Sequence, residues 1–198
     1  MKRLLITGFA PFGGDGVNPA WQAVKALPEQ VGAWRLYKRE LPVAFLGAPT
    51  ALRAALDEVA PDGVLMVGVA AGRAAVTPER RGVNETDARI PDNEGYQPKG
   101  EPVVPGGPEE LFSTLPVEDM AEAIRAAGIP ARVSESAGRF VCNALLYGAL
   151  YALEQGPAPV PAAFIHVPAT PELAADRELP TLPLPDIVAA LIAAIEAI

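Results

Sequence analysis

The sequence predicts an α/β protein, a single three-layer α/β/α sandwich with a mostly parallel mixed central sheet. Three observations carry that expectation. Short apolar runs of strand length alternate with segments whose apolar residues recur at helical spacing. The stretches between successive strand-like runs are long enough to hold crossover helices, which parallel pairing requires. Half of the 198 residues are apolar, enough for one substantial core, so residues 1–198 are read as one domain.

The first run, Arg3 to Thr7, is apolar and ends at Gly8, which reads as a buried strand feeding a loop. Asn18 followed by Pro19 is a helix start, Asn as cap and Pro at the first helical position, with Trp21, Val24 and Leu27 at helical spacing. Trp34 to Leu41 mixes aromatic, aliphatic and charged residues, as an outer strand does, and Thr50 to Ala60 carries Leu52, Ala55, Leu56 and Val59 on one helical face. Gly63 to Gly68 is the clearest interior strand. From Val76 to Gly107 the chain is rich in Gly, Pro, Asp and Asn and is read as a long connection bordering a site. A helix over 117–127, a short strand over Ala131 to Ser134, a helix from about Asn143 to Glu154, a strand over Ala162 to His166 and a last helix over 186–198 complete the pattern.

A net charge of −8 argues against a nucleic-acid partner, since binding a phosphate backbone needs clustered Lys and Arg, and the pair Arg80 and Arg81 is too small a cluster. No stretch approaches the roughly 20 apolar residues of a membrane helix. The charged opening resembles a signal peptide, but Gly8 and the Pro11, Gly13 and Gly14 cluster stop its apolar run at once. One cysteine closes no internal disulfide, and one Cys with one His cannot make a four-ligand zinc set. A soluble, cytoplasmic protein without metal or cofactor is therefore expected.

The chemistry hangs on those two single residues, Cys142 and His166. Small residues precede Cys142 and helical spacing follows it, so the thiol is expected at a turn opening a helix. There the helix dipole favours thiolate, and free backbone N–H groups can hold an oxyanion. His166 ends an apolar strand before Val167 and Pro168, at the carboxyl edge of the sheet where α/β proteins collect ligands. The bland alternatives are a small buried hydrophobe and a hydrogen-bonded structural histidine. A thiol and an imidazole also want a third group to fix the ring. Glu79, Glu85, Asp87, Asp92 and Glu94 all lie beside the expected rim, and spacing alone does not choose among them.

Six ordered fragments resemble the type I pyroglutamyl peptidases, also called pyrrolidone carboxyl peptidases. They are residues 8–14 (GFAPFGG) with Asn18 and Pro19; Pro78, Glu79 and Arg80 with Asn84; residues 87–95 (DARIPDNEG); Gly106 to Pro108 with residues 112–116 (FSTLP); the block around Cys142; and residues 164–168 (FIHVP). The resemblance implies a cysteine exopeptidase that removes an N-terminal pyroglutamyl residue from peptides through a Cys142, His166 and Glu79 triad and a thioester. It implies that Arg89 lies near the reacting carbonyl, with a loop-pinning salt bridge as the alternative role. Phe9 and Phe12 match ring-sandwiching positions, and Asn18, Ile90, Phe140 and Val141 match positions that line or support the pocket. Read without the family, Phe9 and Phe12 are core packing and Asn18 is a helix cap. Family members are often homotetramers, and the Pro-rich segment between Pro157 and Pro185 is a candidate interface. Val69, Ala71 and Gly82 depart from residues common in the family, Gln, Gly and Ala respectively. The rival readings are another amide or nucleoside hydrolase on a related scaffold and a ring-binding module without turnover.

Overall fold

The computed structural model describes residues 1–156, 158–175 and 177–198. The Pro157 to Pro185 segment put forward as an interface includes two positions, Pro157 and Asp176, that lie outside the described residues. In chain order the first elements are β1 (Lys2–Phe9), α1 (Pro19–Ala26), β2 (Gln30–Val31), β3 (Trp34–Leu41), α2 (Gly47–Val59) and β4 (Gly63–Val69). Short strands follow: β5 (Thr77–Pro78), β6 (Arg81–Val83), β7 (Thr86–Asp87), β8 (Lys99–Glu101) and β9 (Glu110–Phe112). The chain continues through α3 (Val117–Ala126), α4 (Val141–Glu154), β10 (Ala162–Val167) and α5 (Leu184–Glu196).

The main sheet has strand order β2-β3-β1-β4-β10-β5. Its four central strands are mutually parallel, while β2 and β5 pair antiparallel at the two edges. Period-two alternation sends successive side chains to opposite layers. Leu4, Ile6, Leu65, Val67, Ala163 and Ile165 pack under α1, α3 and α5. Leu5, Phe9, Val64, Met66, Ala162 and Phe164 pack under α2 and α4. The result is the expected α/β/α sandwich, with β4 buried from Gly63 to Gly68.

Five expectations need correction. Ala131 to Ser134 is not a strand: it makes two isolated parallel bridges, Val76 to Ala131 and Glu79 to Ser134. Val76 N donates to Pro130 O and Arg80 N to Ser134 O, and the rung between them falls to Pro78, which has no N–H to give. Residues 76–107 are not an unbroken connection, since β5 to β8 lie within them; these strands have two or three residues, and β6 finds its partner β9 beyond the segment. Trp34 to Leu41 is next to the edge rather than on it, because the two-residue β2 hairpins onto its outer side. The second helix also begins three residues before Thr50, and the fourth begins at Val141, ahead of Asn143.

Candidate active site

His166 is carried on β10, on the same face as Phe164 and therefore toward α4; the two rings stand 4.7 Å apart. Its partner across the ladder is Gly68 of β4. A Cβ built on Gly68 would fall 2.8 Å from the Phe164 ring and 3.1 Å from Cys142 Sγ. The bare backbone of Gly68 thus lets the thiol settle over the sheet beside the imidazole's strand, at the carboxyl edge. Sequence placement of both residues at one rim agrees with this arrangement.

Cys142 is the second residue of α4, after an extended Phe140 that gives the helix no side-chain cap. Among the described residues, no acceptor pairs with the backbone N–H groups of Val141, Cys142 or Asn143, the orphan donors of a first helical turn. Asn143 fixes this turn in place. Its fully buried amide accepts from Val83 N and donates to the carbonyls of Val83 and Glu85. The helix also rides close on β6, where a Cβ at Gly82 would lie 2.9 Å from the Tyr147 backbone nitrogen.

Of the five acidic residues beside the rim, only Glu79 meets the imidazole. Its Oε1 lies 2.7 Å from His166 Nδ1, with Glu79 completely buried and His166 nearly so. Because a carboxylate only accepts, Nδ1 carries the proton and Nε2 is left free as the base. Asp92 serves the backbone instead, accepting from Phe45, Glu94 and Tyr96 N–H groups, and Glu85 pairs with Arg139.

Burial is the largest influence on each of the three groups. It pushes the Glu79 carboxyl up, but the hydrogen bond and charge of His166, with the side chains of Ser134 and Arg73, outweigh it and hold Glu79 below its ordinary range. It pushes the His166 imidazole down, and the neighbouring carboxylate only partly restores it. It pushes the Cys142 thiol up to about 12, helped by the charge of Glu79, while Arg73 and the amide at the helix start pull the other way. The thiolate expected from the helix dipole is therefore not the resting form: desolvation wins, and thiol and imidazole are both neutral.

A cavity of about 380 Å³ opens in front of the thiol. Phe9, Phe12, Asn18, Arg89, Ile90 and Phe140 all line it with Cys142, as do Val69 and Ala71. Phe9 lines the cavity and is also core, packing on Phe164, and Phe12 packs on Phe140. Asn18 likewise does two things, capping α1 through Ala20 N and holding Ala10 O of the preceding loop. Arg89 is exposed at the cavity and has no carboxylate partner among the described residues, which removes the loop-pinning salt bridge there. Val141 does not line the cavity: the first helical position turns its side chain into the core under α4, where it is 1% exposed.

Several residues escaped the sequence reading. Arg73 ion-pairs with Glu79 at 2.6 Å and closes the back of the site; its signal was its place at the end of the Gly68 to Arg73 segment, already conspicuous for its departures. Val43 and Leu173 add apolar wall, and Arg177 pairs with Asp15 at 2.9 Å on the cavity lining. Nothing in the local sequence marks these, since they reach the cavity through tertiary packing. No group of acidic, Cys and His side chains suited to a metal occurs among the described residues, and no described helix is long and apolar enough to cross a membrane.

A family model described as pyroglutamyl peptidase matches residues 2–198. The chain is 49% identical over 178 residues to the pyrrolidone-carboxylate peptidase of Yersinia pestis (strain Pestoides F), a match covering 89% of this chain and 83% of that one. Its fold superposes on pyroglutamyl peptidase I of Bacillus amyloliquefaciens with a TM-score of 0.96 at 41% identity, covering 100% of this chain and 96% of the other. The pyrrolidone carboxyl peptidase from Thermococcus litoralis gives 0.94 at 38% identity, covering 100% and 93%.

Proposed function

The chain belongs to the pyroglutamyl peptidase family, and from that premise we propose that it removes N-terminal pyroglutamyl residues from peptides as a cysteine exopeptidase, with residues 1–198 as one catalytic domain. The observation that carries the reading is the convergence of a lone thiol, a lone imidazole and one buried carboxylate behind a cavity walled by Phe9, Phe12 and Phe140. Pyroglutamate is a flat, neutral lactam with no free amine. Ring faces and a few hydrogen bonds suit it, and neither a carboxylate nor a metal is needed to hold an amino terminus.

His166 Nε2 takes the proton from Cys142 as Sγ attacks the pyroglutamyl carbonyl, and the C=O electron pair moves to oxygen. The free N–H groups at the start of α4, with Arg89 at the cavity, are the donors for that oxyanion. Collapse of the tetrahedral adduct breaks the C–N bond, and the imidazolium gives its proton to the departing amine. Water, deprotonated by the same nitrogen, then cleaves the thioester and restores the thiol. Glu79 holds Nδ1–H throughout, so the ring changes charge without turning.

Comparing pyroglutamyl, alanyl and prolyl anilides, before and after thiol alkylation, tests the reading. Cleavage of the pyroglutamyl compound alone, abolished by alkylation, is the expected result; equal cleavage of alanyl anilide, or turnover that survives complete alkylation, overturns it. We further propose cytoplasmic residence and a homotetramer, following the family. A light-scattering mass equal to one chain would remove the tetramer.

A further inference from the structure

Glu79 Oε1 is shared. Arg73 Nη1 stands 2.6 Å from it and His166 Nδ1 2.7 Å, while Oε2 has no hydrogen-bond partner among the described residues. An ionised carboxylate this buried is hard to sustain on neutral groups alone, because the imidazole and the side chain of Ser134 offer hydrogen bonds but no opposite charge. Arg73 brings the full positive charge. The same guanidinium donates to Thr77 Oγ1 at 2.6 Å and, through Nη2, to the Ser136 carbonyl at 2.9 Å. It therefore ties the carboxylate to β5, which immediately precedes it, and to the segment that leads into Cys142.

We propose that Arg73 is the counter-charge of this site, a positioning residue that keeps Glu79 ionised while His166 gains and loses its proton. The inference rests on the assignment of Cys142, His166 and Glu79 above. At rest the set of four holds Arg73, partly exposed at the edge of the site, positive, Glu79 negative and the other two neutral. After the thiol proton reaches Nε2, one thiolate and one imidazolium are added. The total is zero in both states, so the proton moves without leaving uncompensated charge around the buried carboxylate. Without Arg73 the set carries one negative charge throughout, and the coupled Glu79 and His166 pair holds a proton more tightly. Of the titratable groups around the imidazole, Arg73 comes from the loop before β5, Glu79 from the residue after it and Cys142 from α4; Phe164 beside it is uncharged, and Gly68 across from it has no side chain.

The chain has a single histidine, so in tag-free protein the imidazole carbon-bound proton signals belong to His166 without further assignment. Their midpoint should rise by roughly one to two pH units in Arg73→Met and Arg73→Gln, the range for losing an adjacent charge, and stay near the parent value in Arg73→Lys. Arg73→Gln keeps a donor for the Ser136 carbonyl and covers the case in which Arg73→Met does not fold. The acid limb of kcat/KM on a pyroglutamyl anilide should move with the NMR midpoint, with kcat falling more than KM rises. An unchanged midpoint in Arg73→Gln, or an equal rise in Arg73→Lys, overturns the proposal. Because the titration is read without turnover, a parent protein that fails to cleave the anilide counts against the activity and leaves the charge role to be decided by the midpoints alone.

Discussion

Cys142 rests as a thiol because it is desolvated and faces the charge of Glu79, and this has a direct chemical signature. Alkylation by iodoacetamide in the absence of substrate should quicken about tenfold per pH unit from pH 7 to 9, as for any thiol titrating above that range. A flat rate over that interval would mean a standing thiolate and imidazolium pair. Glu79 acts one step further back. Glu79→Gln keeps the shape but turns an acceptor of the Nδ1 proton into a group that can present the wrong hydrogen-bonding atom, so kcat should drop by about 10²–10⁴-fold with KM changed far less. Loss in Glu85→Gln and none in Glu79→Gln, measured on the anilide, would place the third member elsewhere.

Among the elements, α4 matters most, since its first turn presents the nucleophile and its register is set by one amide. Asn143→Ala leaves Val83 N–H and two carbonyls without partners in a buried contact, and should lower stability by ~3 kcal/mol. Denaturant unfolding measures it, and a loss under half a kcal/mol would show that water replaces the clasp. The sequence made this helix readable through its apolar spacing, but not Asn143's purpose, which depends on β6, 60 residues earlier. The same distinction holds elsewhere. Strands β1, β4 and β10 were legible because both faces are buried and the runs are continuously apolar. The expected strand at Ala131 failed because the deciding residue, Pro78, lies on the partner segment. Glu79 could be singled out from its acidic neighbours only by family resemblance, because spacing carries no information about which carboxylate reaches a ring 87 residues away. Arg73 and Arg177 were missed for that reason as well.

Over the whole molecule, the buried ionisable set biases stability against acid. Both His166 and Glu79 have folded-state values below their ordinary 6.5 and 4.5. As pH falls, the unfolded chain therefore takes up each proton before the folded one does, and stability declines. The urea midpoint should fall as pH drops below about 6.5, where the unfolded imidazole charges, and fall again below about 4.5, where unfolded carboxylates protonate. A midpoint that rises between pH 7 and 5.5 would contradict neutral burial of His166. The charge set, the thiol and the cavity are brought together by contacts of long sequence range, and this is why so much of the site lay beyond local pattern.

The Asp15 to Arg177 pair spans 162 residues and sits on the lining of the cavity. One lip of the entrance is thus translated at the outset and the other almost last. A growing chain that already carries Cys142 still lacks His166 and the Arg177 side of the entrance, so peptide cleavage must wait until synthesis is nearly complete.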